Sequence, residues 1–251
     1  MIQLHNVEKR YGSFQALHPL NLHVRKGEVF GFLGPNGAGK TTTIRMLSGV
    51  LTPTSGRVEI NGMDLVKEPV ESKRCVGYIP DRPYLYDKLT AREFLQFVGQ
   101  IYGLSKADIR SKGDALLEEN DLIARADELI EAYSHGMKQR LVLSAALLHS
   151  PPLLVVDEPM VGLDPHGARR IKDQFRQIAD AGRTVFLSTH SLDVAQEVCD
   201  RVGILFRGRL VALGEVDELL EGEASSDLEA VFLKITEEQM ATEKDAEKSG
   251  L

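Results

Sequence analysis

The chain has 251 residues, 43% of them hydrophobic and 27% charged, which is the composition of an ordinary globular protein and excludes disordered and fibrous classes. A chain of this length forms one large domain or two small ones, and it can bury a core without disulfides or metals. Its 30 Lys and Arg residues against 37 Asp and Glu residues give a net charge of −7.

The negative charge is concentrated at the C-terminal end. Residues 215–251 contain twelve acidic residues and three lysines and carry −9, so the preceding 214 residues carry +2. A nearly neutral body lacks the basic surface that binds nucleic acids, and we expect no nucleic-acid partner.

The sequence contains no sign of membrane insertion or secretion. No apolar run approaches the roughly 18 residues that a membrane-spanning helix needs, and the N-terminus lacks the charged and then apolar pattern of a signal peptide. Cys75 and Cys199 are far apart and outside any ligand-spaced cluster, as expected for reduced thiols. We expect a soluble, intracellular protein.

The first third of the sequence predicts several strands. Apolar and polar residues alternate over Met1–Tyr11 and again over Leu20–Val24, which indicates two half-buried strands. Glu28–Leu33 is nearly all apolar, as in a strand buried on both faces. A glycine-rich loop follows, then a helix over Lys40–Gly49 and strands over Gly56–Ile60 and Cys75–Ile79.

The remainder predicts a helical insertion and then alternating strands and helices. Thr90 and Glu93 form a capping box and Ser105 caps a second helix, within a helix-period stretch that runs to His149. The elements after Pro152 alternate, which indicates a parallel sheet. They are Leu153–Asp157, Pro165–Ala181, Thr184–Ser188, Ser191–Val198 and Val202–Phe206, followed by a hairpin turn at Arg207–Arg209 and a helix over Val216–Leu220.

A phosphate-binding loop lies between the third strand and the first helix. Its residues, Gly34, Pro35, Asn36, Gly37, Ala38, Gly39, Lys40 and Thr41, fit the pattern G-x-x-x-x-G-K-[ST]. The glycines let backbone N–H groups close around phosphate oxygens, and the helix adds its positive end. Lys40 can reach the β- and γ-phosphates, and the Thr41 hydroxyl can ligate Mg²⁺. With the adjoining Thr42, this segment predicts a nucleoside triphosphate site.

A second acidic motif follows a later strand. The apolar run Leu153–Val156 ends in Asp157 and Glu158, the pattern in which a strand-end carboxylate lies near the metal (Walker B). Glu158, one residue beyond, is placed to polarise an attacking water as general base.

With four smaller elements in the same order, residues 1–220 resemble the ATP-binding subunit of ABC transporters. Tyr133–Met137 stands where the family has its L-S-G-G-Q signature, and Gly162–Asp164 resembles the D-loop. Ser188-Thr-His190 resembles the segment with the switch histidine, and Tyr11 before Gly12 matches the aromatic residue that stacks on adenine.

The resemblance implies an α/β fold: a P-loop (RecA-like) core with a mostly parallel sheet, an N-terminal antiparallel β subdomain and an inserted α-helical subdomain over about residues 89–149. It implies an ATP-binding domain over residues 1–222 and an acidic C-terminal helix or tail over residues 223–251. Within the tail, Ser225–Lys234 can form one amphipathic helix.

The resemblance also implies the roles of single residues. Lys40, Glu158 and His190 act in catalysis, and ATP and Mg²⁺ are the cofactors. Two copies, or this chain and a paired ATPase subunit, enclose ATP head to tail. The residues implied to contact ATP held by the partner copy are Ser134, His135, Gly136, Met137 and Asp164.

The implied activity is ATP hydrolysis that drives solute export through separate integral-membrane permease subunits. The expected location is cytoplasmic, peripheral on the inner face of the cell membrane. The Y-S-x-G-M form of the signature, Tyr133–Met137, favours the exporter class. Asp81 departs from the family, because it stands where a glutamine normally contacts Mg²⁺; we include it with Thr41 and Asp157 among the metal ligands.

Two alternatives compete with a transporter motor. The first is a soluble ABC-type ATPase of translation or DNA repair, but this chain holds one such domain, and only about 90 residues separate Lys40 from Ser134. The second is a P-loop GTPase or kinase, but no Asn-Lys-x-Asp guanine motif follows.

Overall fold

The structure is a computed structural model that describes residues 1–82, 84–160, 164–221 and 227–248. Ten strands and nine α-helices lie in these ranges, with short 3₁₀ turns at Ile123–Arg125 and Ile130–Ala132. The strands are β1 Ile2–Tyr11, β2 Phe14–Val24, β3 Val29–Leu33, β4 Ser55–Ile60, β5 Met63–Asp64, β6 Val76–Ile79, β7 Leu153–Asp157, β8 Thr184–Thr189, β9 Arg201–Phe206 and β10 Arg209–Glu215. The helices are α1 Lys40–Leu47, α2 Pro69–Arg74, α3 Ala91–Ile101, α4 Lys106–Glu119, α5 His135–Leu147, α6 Pro165–Asp180, α7 Leu192–Val198, α8 Val216–Glu221 and α9 Leu228–Lys248.

The strands form two sheets. The N-terminal sheet is antiparallel, in the order β2-β1-β4-β5, and the larger sheet has the order β10-β9-β3-β8-β7-β6. Strands β9, β3, β8, β7 and β6 are parallel, and β10 joins the edge as the second arm of a hairpin. The predicted α/β class, with a mostly parallel core sheet and an N-terminal antiparallel sheet, is confirmed.

The central strands of the larger sheet are buried on both faces. Every residue of β3, β7 and β8 is buried, which explains their continuous apolar sequence. One apolar cluster covers each face: β1, β2, β4 and α1 pack on one side, and α6, α7 and part of α5 pack on the other. Because β3, β8 and β7 are parallel neighbours, their carboxyl ends lie at the same edge of the sheet.

Helices α3, α4 and α5 form a third cluster beside the larger sheet. The expected capping box is present: Thr90 accepts from the Glu93 N–H while Glu93 accepts from the Thr90 N–H. Ser105 caps α4 as predicted. Helix α5 contributes Leu141 to the helical cluster and Leu143 to the core cluster, so it joins the two parts of the molecule.

Four elements differ from the sequence-based expectation. Strand β2 begins at Phe14 rather than Leu20, because three register shifts in its pairing with β1 interrupt the apolar alternation. Strand β5 and helix α2 were not predicted, and both are short. Helix α9 reaches Lys248, well beyond the predicted window; the start of that window, Ser225, lies outside the described residues.

Among the described residues, none of the helices combines the length and apolar character that crossing a bilayer requires.

Candidate functional site

The glycine-rich loop connects β3 to α1 in a backbone conformation that requires glycine. Gly37 and Gly39 have φ values of 82° and 108°, in the region that side chains with a Cβ avoid. A Cβ on Gly34 would lie 2.3 Å from the Leu205 carbonyl oxygen, so this residue lets the loop pack on β9. Within the loop, Ala38 is buried, whereas Pro35 and Asn36 line a cavity that lies over the loop.

Lys40, the first residue of α1, is turned inward. Its ammonium donates to the Gly34 carbonyl at 2.6 Å and lies 3.7 Å from Glu158 Oε1, although the side chain is only 6% exposed. Burial lowers the pKa of Lys40, and the carboxylates of Glu158 and Asp157 oppose that shift. A buried cation at a helix N-terminus is suited to hold phosphate oxygens.

Asp157 lies at the carboxyl end of β7, next to the end of β8. Its Oδ1 accepts a hydrogen bond from the Ser188 hydroxyl at 2.5 Å, and the residue is 3% exposed. Burial raises the pKa of Asp157, repulsion from Glu158 and Asp81 adds to the rise, and hydrogen bonding from Ser188 and Thr41 opposes it. The carboxylate of Asp81 therefore affects the pKa of Asp157.

Glu158 continues past β7 with a turned backbone. Its φ is 49°, in the left-handed region that non-glycine residues adopt uncommonly. The Glu158 N–H donates to the Ser188 carbonyl at 3.0 Å, and Oε2 lies 2.9 Å from His190 Nδ1. The structure thus brings together the predicted residues Lys40, Asp157, Glu158 and His190.

A cavity of about 1080 Å³ lies over the loop, large enough for a nucleotide. Predicted residues among its lining are Tyr11, Pro35, Asn36, Gly37, Gly39, Lys40, Thr41, Thr42, Asp81, Asp157 and Glu158. Phe14 also lines it and was missed by sequence reasoning. Phe14 is paired with Tyr11 across the β1–β2 hairpin. A predicted start of β2 at Phe14 rather than Leu20 would have indicated that Phe14 lies beside Tyr11.

The donors at the cavity floor fit a magnesium ion. The described residues hold no group of three or more His, Cys, Asp or Glu side chains arranged to hold a metal by themselves. Mg²⁺ usually takes one or two carboxylates and completes its shell with phosphate oxygens and water. The Thr41 hydroxyl and the carboxylates of Asp157 and Asp81 supply such a partial set.

The signature residues lie at the start of α5, and the cavity lining does not include them. Ser134 is the N-cap of α5 and accepts from the Met137 N–H at 3.3 Å. Ser134 and His135 are exposed, Gly136 is partly buried and Met137 is buried. The helix start thus presents a hydroxyl and backbone N–H groups to solvent.

Asp164 is the N-cap of α6, and its Oδ1 accepts from the Gly167 N–H at 2.7 Å. The other two predicted D-loop residues, Gly162 and Leu163, lie outside the described residues.

Comparison with known proteins places the chain in a family. The family model described as "ABC transporter" matches residues 17–161. The linearmycin resistance ATP-binding protein of Bacillus subtilis is 39% identical, over 87% of this chain and 70% of its own length. The Nod factor export ATP-binding protein of Cupriavidus metallidurans is 37% identical, over 92% and 77% respectively.

Solved structures agree with these sequence matches. One described as an ATP-binding subunit of an ABC transporter superimposes with a TM-score of 0.88 at 33% identity, over 94% of this chain and 99% of that one. A dimeric, post-hydrolysis ATP-binding cassette bound to ADP and Pi superimposes with a TM-score of 0.79 at 26% identity, over 86% and 98%. The chain belongs to the ABC transporter family, as one of its ATP-binding and ATP-hydrolysing subunits.

Proposed function

We propose that this subunit drives solute export through separate integral-membrane permease subunits, using Mg-ATP bound between two head-to-tail copies. One observation carries the proposal: Lys40, Asp157 and Glu158 converge at one end of β3, β7 and β8 and line a nucleotide-sized cavity, and His190 contacts Glu158 beside it. The names of two relatives, a linearmycin resistance protein and a Nod factor export protein, support the direction of transport.

Nucleotide binding follows from the lining of the cavity. The backbone N–H groups of residues 36–39 and the ammonium of Lys40 hold the phosphates, with Thr41 and Thr42 at the helix start. Tyr11, which is 47% exposed, stacks on the base from the rim of the cavity. Bound Mg²⁺ would be held by Thr41, Asp157 and Asp81, and it would neutralise charge on the β- and γ-phosphates.

Hydrolysis requires a base beside the γ-phosphate. Glu158 accepts the proton of the attacking water as the water oxygen bonds to phosphorus and the bridging oxygen to the β-phosphate leaves. His190 holds Glu158 Oε2 through Nδ1 at 2.9 Å, which orients the carboxylate. Lys40 leaves the Gly34 carbonyl for the phosphates and neutralises the developing charge on the leaving group.

The second copy completes the site. ABC cassettes form dimers and work with membrane components of transporters. The start of α5, with the exposed Ser134 and His135 followed by Gly136 and Met137, faces the γ-phosphate held by the other copy, and Asp164 lies beside it. Two ATP molecules are then enclosed by a two-fold pair.

An exposed apolar surface provides a place for the permease. Tyr86, Phe97 and Ile101 are exposed, and Tyr86 packs edge-on against Phe97 with ring centroids 5.5 Å apart. Clustered exposed aromatic side chains are typical of a protein interface. A cytoplasmic segment of the membrane subunits binds here, and the chain is then peripheral on the inner face of the membrane.

The test is co-purification of the chain with an integral-membrane subunit from solubilised membranes. We expect the complex to hydrolyse Mg-ATP, and we expect Phe97→Arg to release the chain from membranes while leaving its ADP affinity unchanged. Leu213→Arg, at an exposed position on β10, is the matched control. A chain that hydrolyses ATP but binds no membrane subunit would instead be a soluble ABC-type ATPase.

A further inference from the structure

We infer that Asp121 is a positioning residue that fixes the N-terminus of α5 relative to the N-terminus of α6. Its Oδ2 accepts a hydrogen bond from Arg170 Nη1 of α6 and lies 3.7 Å from Arg140 Nη1 of α5. The inference rests on the proposed function, in which Ser134 and Asp164 at these two N-termini face the nucleotide held by the second copy.

The two arginines occupy equivalent positions on their helices. Arg140 follows the N-cap Ser134 by six residues, and Arg170 follows the N-cap Asp164 by six residues. At 1.5 Å per residue, each arginine lies about 9 Å along the helix axis from its cap. Because less than two helical turns separate each arginine from its cap, one carboxylate shared by both arginines limits the relative movement of the caps.

The turn after α4 holds the Asp121 backbone in place. The buried Asn120 accepts from Arg140 Nη1 through its carbonyl at 2.7 Å, and from Gln174 Nε2 through Oδ1 at 3.2 Å. Gln174, on α6, is 5% exposed. The Asp121 N–H donates to the Glu118 carbonyl at 3.1 Å. Helices α4, α5 and α6 thus meet at one polar joint, composed of Asn120, Asp121, Arg140, Arg170 and Gln174.

The carboxylate itself contributes little to folding. The side chain of Asp121 is 60% exposed, and exposed ion pairs stabilise a fold only weakly. Apolar packing of α5 and α6 carries the stability of this region. Loss of the Asp121 charge should therefore leave the monomer folded but give the two helix caps more freedom to move relative to each other, which weakens an assembly that needs both caps at once.

The experiment measures ATP-driven dimerisation in a Glu158→Gln parent by analytical ultracentrifugation with Mg-ATP. We expect Asp121→Asn, a residue type that tolerates the φ of 51° at this position, to weaken dimerisation about fivefold. Arg170→Gln should have the same effect. The double variant should be no weaker than either single variant, because the two side chains act as a unit.

The matched control is Asp127→Asn, which removes a carboxylate 3.0 Å from Arg92 Nε on the same helical part of the molecule. It should dimerise like the parent. Melting temperature and ADP affinity should be unchanged in every variant, and neither would remain unchanged if the joint were merely needed for folding.

The inference is wrong if Asp121→Asn dimerises like the parent, or if the effects of Asp121→Asn and Arg170→Gln add fully. If Asp121→Asn lowers the melting temperature, Arg170→Gln on the helix surface becomes the test. Weakened dimerisation of Arg170→Gln would then support the inference, and dimerisation like that of the parent would contradict it. A parent that stays monomeric with Mg-ATP would contradict the head-to-tail dimer itself, and the inference with it.

Discussion

The ammonium of Lys40 and the carboxylate of Glu158 lie 3.7 Å apart at the floor of the nucleotide cavity. The two groups thus compensate each other's charge within a largely buried site. Each is also held by a second partner, Lys40 by the Gly34 carbonyl and Glu158 by His190. Substitution of Lys40 should therefore affect both ATP binding and hydrolysis, whereas substitution of Glu158 should affect hydrolysis alone.

Lys40→Ala should weaken ATP binding about tenfold and reduce hydrolysis about a hundredfold or more, because it removes the cation that stabilises the β- and γ-phosphates. Calorimetric titration with ATP and a phosphate-release assay measure the two effects. Lys67→Ala, which removes an exposed lysine outside the cavity, is the control and should leave both unchanged. Tight, rapid ATP hydrolysis by Lys40→Ala would contradict the site assignment.

Glu158→Gln should bind Mg-ATP normally, hydrolyse it at least about a hundredfold more slowly, and accumulate as a dimer. The amide keeps an oxygen that can accept from His190 but cannot take a proton from water. Size-exclusion chromatography with Mg-ATP and single-turnover hydrolysis test this prediction. Glu131→Gln, at an exposed glutamate paired with Lys88, should behave like the wild type. A strictly monomeric Glu158→Gln would count against the two-copy site.

His149 should make stability depend on pH. Its ring stacks on Tyr102 with centroids 3.7 Å apart, and burial lowers the pKa of His149 to about 4, with a smaller contribution from Lys112 and an opposing one from the Val76 backbone. Below pH 6.5 the unfolded chain binds a proton that the folded chain does not. The free energy of unfolding should therefore fall between about pH 6.5 and pH 4, by up to about 3 kcal/mol.

Urea denaturation at pH 7.5 and pH 4.5 measures the His149 contribution. His149→Phe keeps an aromatic ring against Tyr102 and should lose a large part of the difference between the two pH values. His166→Gln, at an exposed position, should retain it. Equal pH dependence in wild type and His149→Phe would assign the effect to other groups.

Truncation at Gly222 should lower stability while leaving nucleotide chemistry intact. Leu228 and Val231 of α9 are buried against the core, and the Leu228 N–H donates to Gln196 Oε1 at 2.9 Å. Their loss should cost about 2–4 kcal/mol, measured by urea denaturation. ATP hydrolysis per folded molecule should stay within about twofold, because the described part of α9 contributes nothing to the cavity lining. A truncated chain that folds but does not hydrolyse ATP would assign α9 a catalytic role.

Most of the fold was predictable because its signals are local. Continuous apolar runs identified β3, β7 and β8, and side-chain caps identified α3 and α4. Strand β5 has two residues and α2 has six, too few to establish a period. The start of β2 was missed because irregular pairing hides its alternation.

The site was predictable where a motif names the residue and not where only tertiary structure brings residues together. Lys40, Asp157 and Glu158 follow from sequence patterns. Phe14 lines the cavity only because the β1–β2 hairpin places it there. The contact between Asp121 and Arg170 joins residues 49 positions apart, and no periodicity indicates such a pair.

Asp81 should make ATP binding depend more steeply on Mg²⁺ than a neutral side chain would. Asp81 and Asp157 line the same cavity, and the charge of Asp81 helps to raise the pKa of Asp157. With Mg²⁺ bound, an additional oxygen ligand is favourable; without it, carboxylate and phosphate repel each other. Asp81→Gln should therefore keep hydrolysis. When a chelator removes Mg²⁺, its ATP affinity should fall about five- to tenfold less than the ATP affinity of the wild type falls.

Calorimetric titration of ATP into wild type and Asp81→Gln, with Mg²⁺ and with chelator, measures this difference directly. Asp81→Ala should mainly reduce turnover, since the loop contacts of Lys40 remain and only the ligand near the metal is lost. Asp87→Asn removes an exposed carboxylate that pairs with Lys138 at 2.8 Å outside the cavity, and it should show the Mg²⁺ dependence of the wild type. If wild type and Asp81→Gln respond equally to removal of Mg²⁺, the Asp81 carboxylate does not reach the metal, and its only effect on the site is the repulsion of Asp157.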